Sequence, residues 1–329
     1  MKKLFKFLGI LAVLLVLLVI GAITFVTTQK PNIPVKADLK VEATPERVAR
    51  GTYLANNVCV CMDCHSTRDW TKFAGPPKDG SLGVGGEHFD HRVGFPGDFV
   101  AKNITPHALK DCSDGELYRA ITSGVNKSGQ PLFPIMMYPS YSKMATEDIF
   151  SIMAYLRTLP AIPSSPAQSK ADFPMSVIMH LIPQPAAPVT KPDPKDSVAY
   201  GGYVANAASC AECHTNKVKG KQVGETYAGG FEFKMPEGSV VRSPNITPHV
   251  TGIGAWTKEQ FIARFKGYDK GKYSPPPVDA AKGEMQTVMP WTMYAGMTEQ
   301  DLGALFDYLH SVKAVESVVN RWSPAVAAK

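Results

Sequence analysis

Two short cysteine motifs constrain the fold of this chain more than any other feature. Residues 61–65 read Cys-Met-Asp-Cys-His, and residues 210–214 read Cys-Ala-Glu-Cys-His. The Cys-x-x-Cys-His spacing is the signature of covalent c-type haem attachment, in which both thiols bond the porphyrin and the histidine ligates its iron. A chain that holds such a group must fold around it, so each motif predicts one haem with its own surrounding domain.

The alternative for paired cysteines is a zinc site of the four-cysteine kind. The two pairs lie far apart in the chain, each is followed directly by histidine, and each opens a repeated segment. These features favour two covalently attached haem c groups. The first is predicted on Cys61, Cys64 and His65 and the second on Cys210, Cys213 and His214. Their chemistry is the transfer of single electrons.

The first thirty residues carry a membrane signal. Residues 7–26 contain no charged side chain, and Lys2, Lys3 and Lys6 precede them. Twenty helical residues extend over ~30 Å, the thickness of a bilayer's hydrocarbon core, and the lysines indicate the cytoplasmic end. A cleaved signal peptide is the alternative, but its apolar core is usually shorter and ends at small residues. We therefore interpret residues 1–30 as an uncleaved anchor with one transmembrane helix at about 7–26.

The rest of the chain is duplicated. Residues 48–56 correspond to residues 198–206, just before the cysteine motifs, and Asn-Ile-Thr-Pro-His occurs at both 103–107 and 245–249. The order of the matches is kept and their spacing is nearly equal. Such internal similarity predicts two copies of one domain.

The duplication sets the domain boundaries. We place domain 1 at residues 45–160 and domain 2 at residues 197–313. Residues 160–196 contain nine prolines, which predicts a semi-rigid, mostly extended linker at 161–196. Its middle, residues 173–182, is too apolar for a free tether, so we expect it to pack on a domain or near a haem edge.

Helix signals occur at matching places in both copies. The apolar residues Ile149, Ile152, Met153, Leu156 and Leu159 form one stripe and predict a helix at the end of domain 1. The predicted helix starts are the caps Thr146 and Thr298 and the capping boxes Ser113–Glu116 and Thr257–Gln260.

Gly51 and Gly201 occupy equivalent positions in the helices that lead into the cysteine motifs. Lacking a β-carbon, each predicts that the last helix of its copy crosses close by. The Gly/Pro-rich stretches 75–97 and 267–283 predict loops around the haems. Since strands are scarce, the predicted class is all-α, with two tandem helical domains that surround covalent haem with long loops.

The sixth iron ligand separates electron carriers from haem enzymes. Met136 and Met289 lie at the same place in both copies, in extended segments just ahead of the last helix. A thioether ligand raises the reduction potential of the iron, and we predict these two side chains as axial ligands opposite the histidines. Met137 competes with Met136 because only register separates them, and ligation by His107 and His249 is a further alternative.

These residues give the chain a resemblance to class I c-type cytochromes. More narrowly, it resembles the membrane-associated multihaem cytochrome c subunits of bacterial quinoprotein alcohol and sugar dehydrogenases. The shared segments are Asn245-Ile-Thr-Pro, Thr251-Gly-Ile-Gly-Ala-Trp, Gln286-Thr-Val-Met-Pro-Trp and, in domain 1, Leu132-Phe-Pro through Tyr141. The resemblance implies axial ligation by His65, His214, Met136 and Met289. It also implies electron relay from a dehydrogenase or quinol toward an oxidase or soluble cytochrome.

The predicted function is therefore that of a membrane-anchored dihaem electron carrier, with no catalytic residue assigned. Its haem domains are expected on the periplasmic side of the inner membrane, alone or in a dehydrogenase or oxidase complex. The alternatives are a dihaem peroxidase-like enzyme with one open iron site and a non-catalytic haem subunit of a larger respiratory complex. The net charge of +6 is modest, and no Lys/Arg run indicates nucleic acid as a partner.

Two cysteines lie outside the attachment motifs, Cys59 and Cys112. In an oxidising compartment a disulfide between them is the natural expectation. The alternatives are two free thiols, or a slipped haem attachment that uses Cys59 with Cys64 and His65.

Overall fold

The computed structural model describes residues 1–325 of the chain. It begins with helix α1 (Lys2–Thr28), which extends past the predicted span at both ends. Among the described residues, α1 is the one helix long and apolar enough to cross a membrane, with a mean hydropathy of 3.0 over 18 residues. Every residue of α1 is at least partly exposed, so α1 is not part of a globular core.

We call residues 45–160 unit 1. Its helices are α2 (Pro45–Tyr53), α3 (Cys61–Cys64), α4 (Pro106–Leu109), α5 (Asp114–Ser123), α6 (Tyr138–Tyr141) and α7 (Thr146–Thr158). A wider π turn, Leu54–Val58, continues α2 toward α3, and a 3₁₀ turn occupies His91–Val93. The linker then contributes α8 (Met175–Ile178) and a 3₁₀ turn at Met179–Leu181.

We call residues 197–313 unit 2. Its helices are α9 (Ser197–Ala207), α10 (Cys210–His214), α11 (Lys258–Lys266), α12 (Trp291–Tyr294) and α13 (Glu299–Ser311). A 3₁₀ turn occupies Ala280–Lys282. Apart from α4, which has no counterpart among the described helices of unit 2, the order of long and short helices is the same in both units.

The long helices cross in pairs, α2 on α7 and α9 on α13. A β-carbon built on Gly51 would lie 1.8 Å from the carbonyl oxygen of Ser151, and one on Gly201 would lie 1.9 Å from that of Ala304. Real β-carbons do not approach oxygen so closely, so these crossings require glycine. The predicted close crossing is confirmed at both positions.

Most of the predicted helix starts are confirmed. Both capping boxes are formed, at Ser113 and at Thr257, and the Thr298 side chain accepts the Asp301 amide at 3.1 Å. The prediction for Thr146 is wrong, because α7 is preceded by Ala145 and Thr146 is its first helical residue. The spacing of the repeat explains this outcome, since it aligns Ala145, and not Thr146, with Thr298.

The strands are short and lie outside the helical framework. They are β1 (His88–Phe89), β2 (Gly97–Val100), β3 (Lys170–Ala171), β4 (Lys217–Val218), β5 (Lys221–Gln222), β6 (Glu232–Lys234), β7 (Val240–Arg242) and β8 (Trp322–Ser323). Within residues 1–325 they form the antiparallel sheets β1–β2–β3, β4–β5 and β6–β7–β8. His88 pairs with Val100, and Glu232 pairs with Arg242. Of these strands, β1 lies within residues 75–97, for which a loop was predicted.

A single buried cluster joins the two units. It contains Leu54 and Met144 from unit 1 together with Met293 and Leu302 from unit 2. The units are therefore packed against one another through apolar side chains and are not two separate globules on a tether.

Reciprocal hydrogen bonds cross the same interface. The Tyr53 hydroxyl donates to the Asp301 carboxylate at 2.5 Å, and the Tyr203 hydroxyl donates to Asp148 at 2.7 Å. Each unit thus supplies one tyrosine donor and one aspartate acceptor, and the two bonds help to fix how the units sit relative to one another.

The linker is held at several points. Strand β3 pairs with β2, and the Ala187 amide donates to the Ser142 carbonyl at 3.0 Å. Residues 173–182 lie beside the end of α1 and are not among the residues packed on the core cluster. Their neighbours are the N-terminal helix and β3, and packing near a haem edge stays a prediction.

Candidate functional site

Both cysteine motifs fold into a single helical turn, α3 in unit 1 and α10 in unit 2. The residue before each turn, Val60 or Ser209, has a left-handed backbone with φ of 47° or 53°. This conformation is costly for a residue with a side chain, and both copies adopt it. Within a helical turn, residues three apart lie on one face, so both thiols of each motif point toward one side, where a single planar group can bond them.

The motif histidines are oriented by backbone carbonyls. The Nδ1 atom of His65 lies 2.7 Å from the carbonyl oxygen of Lys102, and Nδ1 of His214 lies 2.9 Å from that of Pro244. A carbonyl accepts only from an N–H, so the proton resides on Nδ1 and the lone pair on Nε2 is free for a metal. Burial lowers the pKa of both histidines, against the smaller raising effect of these bonds, which keeps the rings neutral as iron ligation requires.

The Asn-Ile-Thr-Pro repeats fix those carbonyls. Asn103 follows Lys102, and its side-chain oxygen accepts the amide of Thr105 at 2.8 Å. Asn245 follows Pro244 and accepts the amide of Thr247 at 2.9 Å. The carbonyl acceptors were not identified from the sequence, although the identical repeat marked their position.

The four attachment thiols lie in an apolar setting. Burial raises the pKa of Cys61, Cys64 and Cys210 to about 12 and that of Cys213 to about 11. Paired thiols on one face, next to a neutral histidine with a free Nε2, are the donor set that haem c requires. The residues present therefore fit the predicted group.

The methionine segments share one local geometry. The amide of Tyr138 donates to the Met136 carbonyl at 2.5 Å, and the amide of Trp291 donates to the Met289 carbonyl at 2.8 Å. Both bonds span two residues, and each tight turn opens a short helix, α6 or α12. Met137 then occupies the place of Pro290, so the backbone pairs Met136 with Met289.

Met136 and Met289 are both half-buried and pack against the core cluster, as do Cys61 and Cys210. The competing histidines are placed differently. His107 is exposed, and Nδ1 of His249 lies 3.0 Å from the Thr251 hydroxyl. The methionines are the better-placed candidates for the sixth coordination position.

A buried ion pair distinguishes the first attachment turn. Asp63, inside the motif, lies 3.0 Å from the guanidinium of Arg68. Arg68 also donates to the carbonyls of Gly75 at 2.7 Å and Ala74 at 2.8 Å, and it stacks on the ring of Trp70. Burial raises the pKa of Asp63 to about 6 even though Arg68 acts to lower it. This network ties the motif to the loop that follows it.

Gln286, three residues before Met289, joins that loop to unit 2. Its side-chain NH2 donates to the carbonyls of Trp70 at 3.2 Å and Lys72 at 2.9 Å. Its side-chain oxygen accepts the amide of Ala74 at 2.8 Å and the amide of the following residue, Thr287, at 2.9 Å. The side chain is 1% exposed, and its hydrogen-bonding capacity is satisfied. The loop after motif 1 and the methionine segment of unit 2 are thus fixed to each other.

The predicted disulfide between Cys59 and Cys112 is wrong, since both are free thiols. The Cys59 sulfur lies 3.8 Å from the sulfur of Met144, inside the core, and the Cys112 thiol lies 3.6 Å from the Ser113 carbonyl. Cys59 directly follows the π turn Leu54–Val58 and is buried in the core, so its thiol serves as apolar packing.

Comparisons with known proteins agree with this geometry. Residues 198–313 match the sequence model of the cytochrome c family. Over 293 residues the chain is 25% identical to the alcohol dehydrogenase (quinone), cytochrome c subunit, of Gluconobacter oxydans, a match that covers 83% of this chain and 56% of the relative. It is 26% identical over 305 residues to the gluconate 2-dehydrogenase cytochrome c subunit of Pantoea cypripedii, covering 84% and 62%.

A third relative is closer in size. The diheme cytochrome c-type protein of Cereibacter sphaeroides is 27% identical over 272 residues, which are 78% of this chain and 83% of that protein. The chain spans a little over half the length of the dehydrogenase subunits that it matches.

Proposed function

We propose that both units carry haem c, and not only residues 198–313, which match the sequence model of the cytochrome c family. The observation that carries this proposal is the repeated geometry of unit 1. As in unit 2, its attachment turn follows a residue with a left-handed backbone. Its histidine also bonds the carbonyl just before an Asn-Ile-Thr-Pro segment. A unit that reproduces the donor set of a haem site is inferred to hold the same group.

The chain's residues supply ligation and orientation. Cys61 and Cys64 in unit 1, and Cys210 and Cys213 in unit 2, attach the group, and each motif histidine presents Nε2 to the iron. Bound haem c supplies reversible one-electron chemistry at its iron. Met136 and Met289 would supply the second protein ligand to each iron. With both axial positions filled by side chains, each site is suited to pass electrons and not to bind a substrate.

The packed interface gives this arrangement its function as a relay. The units share a buried core, and Tyr53 and Tyr203 bond across it to Asp301 and Asp148. Two redox centres held in one rigid body keep a constant separation and orientation, which electron transfer between them requires. We infer a dihaem electron carrier and not a catalytic subunit.

We also infer that α1 is a single-pass anchor in the cytoplasmic membrane. Its length and apolar character support this, and the lysines before residue 7 favour a cytoplasmic start. The haem units then lie on the extracytoplasmic side. Because relatives are named as cytochrome subunits of dehydrogenases, the inferred partners are a dehydrogenase or quinol as donor and an oxidase or soluble cytochrome as acceptor.

Haem stoichiometry in motif variants tests the proposal. The full chain is produced in a host competent for c-type attachment, and covalent haem per polypeptide is measured with intact mass. Two haems are expected in the wild type and one in Cys61→Ala/Cys64→Ala or Cys210→Ala/Cys213→Ala. The control Cys59→Ser/Cys112→Ser retains both. One haem in the wild type would contradict the dihaem proposal, and a mass lacking the first thirty residues would contradict the anchor.

A further inference from the structure

The middle of the linker has apolar side chains that remain exposed to solvent within residues 1–325. From residue 173 to residue 190 the chain has no Asp, Glu, Lys or Arg. Within this stretch Phe173 is 72% exposed, Ile178 43% and Leu181 65%. Three large apolar side chains exposed on one short segment form the kind of patch that marks an interaction surface.

The patch lies beside the end of α1. Both α8 and the 3₁₀ turn Met179–Leu181 are neighbours of α1, and Nδ1 of His180 lies 3.3 Å from the Gln29 carbonyl. On α1 itself, Ile23, Val26 and Thr27 alone are partly covered, while its other residues are exposed. The linker segment therefore sits at the C-terminal end of the apolar helix.

That position corresponds to a definite depth in a bilayer. The uncharged run 7–26 spans ~30 Å, which matches the hydrocarbon core. Residues 23–27 occupy the last ~6 Å of the helix on the exported side. A segment packed against them lies where acyl chains meet the headgroups, and its exposed apolar side chains continue the apolar surface of α1.

We propose that residues 173–182 form a second membrane contact, inserted into the exported surface of the lipid bilayer beside α1. The proposal rests on the inferred role of α1 as an uncleaved anchor. Side chains such as Phe and Leu of interfacial segments are buried at this boundary, and binding strengthens with the apolar area that faces the acyl chains. The occupant is lipid, because the patch is continuous with a helix whose own surroundings are lipid.

The contact orients the haem units. Strand β3 directly precedes the patch and pairs with β2 of unit 1, and the Asp172 amide donates to the Pro96 carbonyl at 3.0 Å. A single helix followed by a flexible connection would let the units tumble above the membrane. Two contacts on one rigid body hold unit 1 at a fixed tilt.

Hydrophobic photolabelling tests this inference on the intact protein. The full-length haem-loaded chain is reconstituted into vesicles of phosphatidylcholine and phosphatidylglycerol that contain a lipid-soluble diazirine. After photolysis, adducts are mapped by peptide mass spectrometry. We expect adducts on residues 7–26 and on residues 173–182, and none at Val250 and Val318, which are exposed apolar residues elsewhere on the surface.

A matched pair of variants sharpens the result. Phe173→Asp/Leu181→Asp is expected to lose the adducts on the segment and keep those on α1, with an unchanged haem spectrum. Val250→Asp/Val318→Asp is expected to label as the wild type does.

The two inferences fail in different ways. Adducts on α1 with none on 173–182 would overturn the second contact and leave the anchor standing. A chain that begins after residue 30, or an unlabelled α1, would overturn the anchor itself. Protection of the segment from a water-soluble carbene in native membranes, but not in vesicles of the purified chain, would assign the patch to a protein partner and overturn the lipid contact.

Discussion

Gly51 of α2 lies directly against the carbonyl oxygen of Ser151 in α7. A β-carbon on Gly51 would be 1.8 Å from that oxygen and 2.8 Å from the β-carbon of Tyr155. Gly201 has the same relationship to Ala304. Because α2 continues through a π turn into the attachment turn, this crossing sets where the first cysteine motif begins.

Alanine at either glycine is expected to destabilise the fold. The helices would have to separate, and overpacking of this kind costs about 1–3 kcal/mol or more. Gly202→Ala is the matched control, since its β-carbon would meet only the edge of the Tyr308 ring at 3.1 Å and alanine is favoured in a helix by ~1 kcal/mol. In urea unfolding, Gly201→Ala should have a lower free energy of unfolding than Gly202→Ala. Equal effects would show that the crossing is not limited by this contact.

The helical framework was accessible from the sequence because local signals determine it. Each of these signals depends on a few neighbouring residues, as in the capping boxes at Ser113 and Thr257 and the glycines of the crossings. Because the chain is duplicated, most of them occur twice. The start of α7 was misplaced because Thr146 is a good cap by residue type, whereas the repeat aligns Ala145 with the cap position. The alignment of the two copies therefore gives the correct cap position of α7, whereas the capping preference of threonine does not.

What the sequence did not reveal depends on contacts between distant segments. The pairings of β3 and β8 and the position of residues 173–182 depend on contacts with distant parts of the chain. Gln286 belonged to a recognised segment, yet its partners in unit 1 could not be inferred from spacing. The disulfide between Cys59 and Cys112 was predicted because these two cysteines remain outside the motifs and the compartment is expected to be oxidising. In the fold, the two thiols lie in different surroundings.

Loss of either tyrosine hydroxyl at the interface is expected to loosen the two units. Hydrogen bonds to charged groups contribute about 1.5–3 kcal/mol, so Tyr53→Phe and Tyr203→Phe should each lower the free energy of unfolding by about that amount. Tyr155→Phe is the control, because its hydroxyl bonds Asn56 within unit 1. Two separate unfolding transitions, one per unit, are expected in the double variant but not in the control. A single transition in all variants would show that the other contacts between the units are enough to couple them.

Asp148 should make stability depend on acid pH. Burial acts to raise the pKa of this carboxyl, but hydrogen bonds and charge from Arg50 outweigh burial, and its pKa lies below the ordinary 3.8. The unfolded chain therefore binds the proton more readily. The stabilisation is present above about pH 4 and is lost as pH falls through the folded-state pKa.

Urea titrations at descending pH measure this effect. Asp148→Asn is expected to be less stable than the wild type at neutral pH, because Arg50 loses its partner, and to lose less stability on acidification. Glu147→Gln, at an exposed position of the same helix, should retain the wild-type loss. If the free energy of unfolding fell equally with pH in the wild type and in Asp148→Asn, this carboxyl would have no role in the acid dependence.

Gln286→Leu is expected to disturb the methionine segment of unit 2 without removing a ligand. Leucine is close in volume but leaves the Ala74 amide and the Trp70 carbonyl without their partner, and each buried group left unpaired costs about 1–3 kcal/mol. The Met-to-iron charge-transfer band of unit 2 should weaken, and haem attachment should persist. Gln222→Leu, at an exposed amide, is the control. An unchanged band with lowered stability would restrict Gln286 to a structural role.

The axial methionines are tested by exchange of the ligand atom. Nitrogen in place of thioether sulfur lowers the potential, so Met136→His and Met289→His should each lower the potential of one haem by on the order of 100 mV, within the ~0.8 V range that axial ligands span. Met137→His is the control for register and should leave both potentials and both charge-transfer bands in place, because Met137 occupies the position of Pro290. A spectroscopic redox titration resolves the two components. A response to Met137→His but not to Met136→His would shift the ligand of unit 1 by one residue, and no response to any of the three would place the sixth ligands elsewhere.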